Sequence, residues 1–258
     1  MLKRILLTTL FALLTAAAGT GYFLFAGDYV RNNEESETVK SIDVVIKDSV
    51  ENNLVRVRDI MGFLNYGEGI IGSCRAELGI DSIEKRLLER GEITDAEVFS
   101  DNSGVLRVEI LQRKPAIRFS GAGAEFYSDS TGYIFPVYKK ADVPIVTGSI
   151  PVRYAAGGKG YPDDPKELAW IKGMAKLTSY IEKHYYWHKT VEQIDVENSG
   201  DIVLYMRDAR QKFIFGSADG IEDKFARMAT YYKGIAPLPE AGRYTTVNLK
   251  YDKQIICR

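Results

Sequence analysis

The two histidines are the residues whose type and spacing come closest to a metal site. His184 and His188 stand four positions apart and are the only histidines in the 258-residue chain. On a helix this spacing places both rings on one face, where a metal ion could bind. The residues between them include no carboxylate, and no third ligand is indicated. We interpret them as an exposed or half-buried pair at a helix end and predict no metal site.

Other patterns with catalytic potential are also incomplete. Residues 157–160, Gly-Gly-Lys-Gly, lack the spacing and the Ser or Thr of a phosphate-binding loop. Residues 121–123, Gly-Ala-Gly, precede a strand pattern rather than a helix, unlike a dinucleotide-binding turn. Neither Cys74 nor Cys257 has a histidine nearby in the sequence. We predict no catalytic residue, no cofactor and no small-molecule substrate, but carboxylates that only the fold brings together leave an enzyme possible.

Charge and cysteine content restrict the function further. The chain has 34 Lys and Arg against 35 Asp and Glu, a net charge of −1, so there is no basic field that would indicate nucleic acid as a partner. Its two cysteines, Cys74 and Cys257, are far apart and do not form a disulfide framework. We expect two free, mostly buried thiols, with a single disulfide as the alternative.

The N-terminus carries the one long apolar run of the chain. Residues 5–26 are almost entirely apolar, a length that suits a helix through a bilayer core. Lys3 and Arg4 precede the run, so the positive-inside tendency predicts a cytoplasmic tip at residues 1–4 and the remainder of the chain across the membrane. A cleaved signal peptide, with small residues at 15–18, is the alternative, but the apolar run continues well past that point.

A polar linker and a small α+β domain follow. Residues 27–40 are rich in charged and polar side chains and predict a tether. From Ser41 the patterns predict a β-α-α-β-β domain over residues 41–118. Its two helices are expected at Val55–Asn65 and Ser82–Arg90, the second with a capping box formed by Asp81 and Glu84.

Residues 119–258 predict a larger, mostly antiparallel β domain with flanking helices. A hairpin joins residues 125–128 to residues 133–135, and a helix begins at Asp164, which has the side chain of an N-cap. A strand meander and a second helix near Asp219 come next. The last strand is expected at Tyr244–Tyr251, and residues 255–257 either extend it or pair back on it. The fold class of the whole chain is therefore α+β, with one N-terminal transmembrane helix.

The order of these parts resembles the FtsQ/DivIB family of bacterial cell-division proteins, and the resemblance covers essentially the whole chain. That family has a short cytoplasmic segment, one transmembrane helix, a POTRA domain and a larger β domain. Four segments carry the resemblance: the end of the POTRA-like part, an opening hairpin, a Pro-containing strand and the closing strand. They lie at residues 97–115, 126–136, 143–148 and 244–252.

The resemblance implies a non-enzymatic divisome scaffold in the inner membrane. Such a protein is a single-pass protein with a periplasmic C-terminal part, is enriched at the division septum, and supports septal peptidoglycan synthesis. Its partners would be FtsB-like and FtsL-like coiled-coil membrane proteins, with the lipid bilayer contacted by the N-terminal helix. Two alternatives stay open: a membrane-anchored envelope enzyme that acts on cell wall, and a POTRA-type transport or assembly component.

The resemblance also implies a partner site on the closing strand. A terminal strand exposes unpaired N–H and C=O groups to which a partner strand can add. The expected site consists of Val247, Leu249, Lys250, Tyr251 and Asp252, with Tyr251 as the aromatic anchor and the two charged residues setting register. The alternative is an ordinary edge strand whose Tyr251 packs on the helix at residues 225–232.

Overall fold

In a computed structural model of the chain, the described residues are 15, 17–26, 38–50, 52–101, 103–121, 124–155, 157–207 and 209–258. Residues 17–26 are helical. Residues 5–14 and 16 of the predicted transmembrane span (5–26) and residues 27–37 of the predicted linker (27–40) fall outside the described part. Among the described residues, no helix combines the length and the apolar character that crossing a bilayer requires.

The chain divides into two compact units. Of the described residues, the first takes those up to Lys47 together with Val55–Glu89 and Asp95–Leu111, and the second takes those of Asp48–Leu54, Arg90–Thr94 and Gln112–Arg258. The elements of the smaller part are β1 (Ser41–Ile46), α1 (Val57–Phe63), α2 (Ile80–Leu88), β2 (Ile93–Ser100) and β3 (Val105–Gln112). This is the β-α-α-β-β order that the sequence predicts. The strand that follows, β4 (Ile117–Gly121), belongs to the sheet of the second unit, so the first unit ends earlier than the expected residue 118.

A three-stranded sheet in the order β1-β3-β2 forms the smaller part. β1 runs parallel to its neighbour β3. Alternate residues of β3 point into the core, where Leu106, Val108 and Ile110 are fully buried together with Ile60 of α1 and Leu87 of α2. This alternation is the period-2 pattern of a strand with one face covered.

The capping box expected for α2 is absent from this helix. Its N-cap is Gly79, which lies two residues before Asp81 and has no side chain to accept a hydrogen bond. The Glu84 carboxylate instead accepts a hydrogen bond from the backbone N–H of Val98 in β2, at 2.7 Å. Spacing alone could not show this, because the choice of partner for Glu84 depends on a residue fourteen positions away.

The second unit is built on a nine-stranded sheet. Its further strands are β5 (Ala124–Ser128), β6 (Ile134–Pro136), β7 (Ile145–Gly148), β8 (Val191–Val196), β9 (Ile202–Met206), β10 (Lys212–Gly216), β11 (Thr246–Asn248) and β12 (Ile256–Cys257), and its helices are α3 (Pro165–Lys183), α4 (Tyr185–Thr190) and α5 (Ile221–Thr230). The strand order is β12-β11-β10-β9-β8-β7-β4-β5-β6. The predicted hairpin corresponds to β5 and β6, and Asp164 caps α3 by accepting from the N–H of Lys166 at 2.8 Å.

This sheet is mixed rather than uniformly antiparallel. Five neighbouring pairs are antiparallel, whereas β4–β7, β7–β8 and β10–β11 are parallel. Parallel neighbours need a crossover, and α3 with α4 provides it between β7 and β8, as α5 does between β10 and β11. Gly148 at the end of β7 has φ +93°, and a Cβ there would collide with the Val196 carbonyl, so the close approach of β7 to β8 requires glycine.

The core of the second unit lies between the sheet and its helices. It is rich in aromatic side chains: Phe119, Phe126, Phe213, Phe215 and Phe225 are all essentially buried. Phe225 of α5 is central to one end, with ring centroids 4.9 Å from Trp187 and 5.3 Å from Phe215. Aromatic pairs at these distances add to the stabilisation from burial, so they help to hold α5 against α4 and β10.

Candidate partner-binding edge

The expected partner-binding residues divide between the core and the surface. Val247 and Leu249 are fully buried and belong to the hydrophobic core, so their side chains are not available to a partner. Lys250, Tyr251 and Asp252 are exposed and follow the strand instead of forming part of it. The last long strand is also shorter than expected, because regular pairing stops at Asn248.

The expectation that this strand offers a free edge is wrong. β12 pairs back on β11 in antiparallel fashion, with Val247 opposite Cys257 and Asn248 opposite Ile256. Arg258 continues the pairing: its N–H donates to the Thr246 carbonyl at 3.0 Å, and its own carbonyl accepts from the Thr246 N–H at 2.9 Å. The end of the chain therefore covers the edge of β11, and the outermost strand at this end of the sheet is β12.

The alternation of an antiparallel ladder shows which groups β12 leaves free. Arg258 and Thr246 exchange two hydrogen bonds. Hydrogen-bonded and non-hydrogen-bonded pairs alternate in an antiparallel ladder, so the next pair, Cys257 and Val247, is non-hydrogen-bonded. The N–H and C=O of Cys257 consequently point away from β11. The open edge is short, but it presents one donor and one acceptor with the spacing that an added strand uses.

The turn between β11 and β12 is held by a side chain of α5. Arg227 donates through Nη1 to the Tyr251 carbonyl and to the Gln254 carbonyl, each at 2.7 Å. Its Nε donates to Asp223 one helical turn earlier, at 2.8 Å, and the Arg227 side chain is only 12% exposed. Arg227 thus joins the turn to the helix behind it and fixes where β12 begins.

Charges next to the turn already have partners within the chain. The Lys250 ammonium lies 2.8 Å from Asp201, and the hydrogen bond with this carboxylate raises the pKa of Lys250. Tyr251 is 53% exposed, so about half of its surface is accessible to solvent. Of the expected contacts, Tyr251 and Asp252 are thus the most accessible.

The inner face of β12 is anchored in the core. Cys257 is half-buried, and burial raises the pKa of its thiol, so it stays protonated and behaves as a small apolar side chain. Tyr231 is fully buried in the π-helical turn after α5. Burial is the main cause that raises the pKa of its hydroxyl, and the neighbouring Cys257 is the second. β12 therefore pairs through its backbone and also packs through its side chains.

The residues with catalytic potential are not brought together. His184 separates α3 from α4, with Nδ1 2.8 Å from the Tyr180 carbonyl, and His188 lies 3.3 Å from Glu182. Cys74 and Cys257 do not form a disulfide. Within the residues that the structure describes, no three His, Cys, Asp or Glu side chains are grouped as metal ligands.

Of the two alternatives expected for residues 255–257, pairing back on the last strand is the one observed, whereas sequence reasoning missed Arg227 as part of this edge. The spacing of Asp223 and Arg227 on a predicted helix indicates an i,i+4 ion pair, but nothing in it indicates the two carbonyls that lie 24 and 27 positions further on. A two-residue strand such as β12 is too short to show periodicity.

Comparison with known families adds two matches. Residues 114–258 match the model described as FtsQ/DivIB, C-terminal related. Residues 37–111 match the model of a POTRA-like domain. No curated protein matches the chain as a relative. Along the sequence, the boundary between the two matched segments lies at residues 111–114, and the last boundary between the compact units lies between Leu111 and Gln112.

Proposed function

We propose that this chain, which belongs to the FtsQ/DivIB family, acts as a non-enzymatic scaffold in bacterial cell division. The C-terminal family match covers more than half of the chain, and a POTRA-like match precedes it. These matches support a cell-division role, and FtsQ/DivIB proteins are generally non-enzymatic. The role of a scaffold agrees with a second unit that carries an accessible strand edge.

The proposed partners are FtsB-like and FtsL-like membrane proteins, and the proposed mode is addition of a partner strand to β12. The observation that carries this proposal is the outward-facing N–H and C=O of Cys257, together with the covered edge of β11. A partner strand would continue the sheet beyond β12 through main-chain hydrogen bonds. Tyr251, exposed beside this edge, is the aromatic anchor of the proposed interface.

The location of the protein is part of the same proposal. The apolar residues 5–26 would anchor the chain in the inner membrane, and residues 27–40 would tether both units on the periplasmic side. At the septum, the captured partners would then be placed where peptidoglycan synthesis takes place.

Proline at position 257 tests the edge directly. Cys257→Pro removes the outward N–H but leaves the β11–β12 hydrogen bonds, which use Ile256 and Arg258 on this side. The matched control, Cys257→Val, keeps the N–H and a side chain of similar size. Each full-length variant is co-purified with the FtsB-like and FtsL-like proteins of the same host. We expect Cys257→Pro to lose at least tenfold in partner capture and Cys257→Val to lose less than twofold.

Capture of the partners by Cys257→Pro at the level of the control would refute strand addition at β12. Tyr251→Ala separates the anchor from the edge: it should weaken capture without a change in melting temperature, because the ring is exposed. Depletion of the protein in its host tests the broader role, for which filamentous, undivided cells are expected. Normal division after depletion would refute it.

A further inference from the structure

A row of lysines follows the exposed face of α3. Lys172, Lys176 and Lys183 are all exposed. At 100° and 1.5 Å per residue, they lie within about 40° of one another around the helix and span roughly 16 Å along it. Within the residues that the structure describes, none of these three ammonium groups forms an ion pair. In a chain with a net charge of −1, this is a local concentration of positive charge.

These lysines line an open groove with a volume of about 490 Å³. Ser130, in the turn between β5 and β6, forms part of the opposite wall, and Ser179 lies on the helix between two of the lysines. The aliphatic stem of Lys172 packs over Gly132 in the same turn, so this lysine is partly positioned by the fold. The groove therefore combines three cations with hydroxyl donors along a single line.

The far end of the groove is formed by stacked rings. Tyr180 stacks on His184 with ring centroids 4.0 Å apart and on Phe225 with centroids 4.9 Å apart. Burial, and secondly the charge of Glu222, raise the pKa of Tyr180, so its hydroxyl remains a neutral donor at neutral pH. The end wall therefore consists of stacked rings, and the Tyr180 hydroxyl is its polar group.

We propose that this groove binds a linear, phosphate-bearing polyanion in an extended conformation. Lysine is a compact point charge that suits phosphate groups, and serine hydroxyls can donate to their oxygens. An open trough with charges spaced along its length fits a chain of anionic groups better than one small ion. A partner helix would need an uninterrupted apolar seam, but apart from Ala175 and Tyr180 the side chains that line this groove are polar or charged.

The three lysines do not contribute equally. Lys183 is in the last turn of α3, where the exposed carbonyls of the helix already attract its charge. Lys172 and Lys176 lie further from that terminus and can direct their full charge to a ligand. We therefore expect Lys176→Gln to weaken binding more than Lys183→Gln does.

Titration of the full-length protein in neutral detergent with inorganic polyphosphate tests the proposal. We expect Lys176→Gln to reduce the affinity about fivefold, as for one lysine near an anionic surface, and the triple Lys→Gln variant to reduce it at least fiftyfold. The matched control is Lys166→Gln, the same charge change on another face of α3. It should change the affinity less than twofold. Release of counterions by three lysines predicts a roughly twentyfold weaker affinity at 200 mM salt than at 50 mM salt.

Three results would overturn the proposal. The first is an equal loss of affinity for Lys166→Gln and Lys176→Gln, and the second is affinity that does not change in the triple variant. The third is binding of poly-L-glutamate as tight as that of polyphosphate, which would instead assign the groove to an acidic polypeptide. Since the groove shares no residue with β12 or its turn, these results are independent of partner capture.

Discussion

Arg227→Met is the substitution that most directly tests how β12 is held. Methionine keeps the apolar stem of the arginine but removes both hydrogen bonds to the turn, at Tyr251 and Gln254, and the ion pair with Asp223. The core contacts of α5 stay in place, because Phe225 and Met228 are unchanged. The expected effect is therefore local fraying of β12 rather than unfolding.

The magnitude follows from the two lost carbonyl bonds. Hydrogen bonds from a charged donor contribute about 1.5–3 kcal/mol when their partners are buried. Tyr251 and Gln254 are exposed here, so water can replace the arginine at each carbonyl, and about 1 kcal/mol per bond is the appropriate figure. The total of about 2 kcal/mol corresponds to a roughly thirtyfold increase in the population with β12 detached.

Amide hydrogen exchange measures this population. The N–H groups of Thr246 and Arg258 both donate across the β11–β12 pair, so their exchange should become roughly thirtyfold faster in Arg227→Met. The amide of Leu204, in the interior strand β9, should exchange at the rate of the unchanged protein. Asp223→Asn is the matched control, since it loses only an exposed i,i+4 ion pair, which is about 0.5 kcal/mol or roughly a twofold change. Equal exchange at Thr246 in the two variants would refute the assignment of Arg227 as the residue that holds the turn.

Two further predictions concern stability in each unit. Arg113→Met should reduce the free energy of unfolding by about 3 kcal/mol in urea, because it leaves Asp129 without its 2.8 Å ion-pair partner in a largely buried position. Arg153→Met, which removes a cation that is 97% exposed, should change it by less than about 0.5 kcal/mol, and similar losses in the two variants would contradict this reasoning. A hydrogen bond from the Ser103 hydroxyl lowers the pKa of Asp101 in the folded protein. The ionised Asp101 carboxylate therefore contributes fully to stability above about pH 4, and this contribution is lost as the pH falls through the lowered pKa. Asp101→Asn should therefore flatten the dependence of the melting temperature on pH below about pH 4, and an unchanged slope would argue against this role.

Local patterns predicted most of the elements. Short segments determine the hairpin of β5 and β6, the N-cap at Asp164 and the order β-α-α-β-β. Periodicity, turn residues and capping side chains within such segments are visible in the sequence. The partner site expected near the C-terminus stays a prediction; of its residues, Tyr251 and Asp252 are exposed.

The details of the site depended on contacts between distant residues. Packing between distant segments decided three of these details. It buries Val247, it brings the Glu84 carboxylate to β2, and it places Arg227 against a turn more than twenty positions away. The two-residue strand β12 is recognisable only through its pairing with β11 and the position of Cys257 beside Tyr231. Edge strands gain their stability from the strands beside them. The sequence could therefore indicate that this sheet has an edge near the C-terminus, but only the assembled sheet determined that β12 is the edge strand.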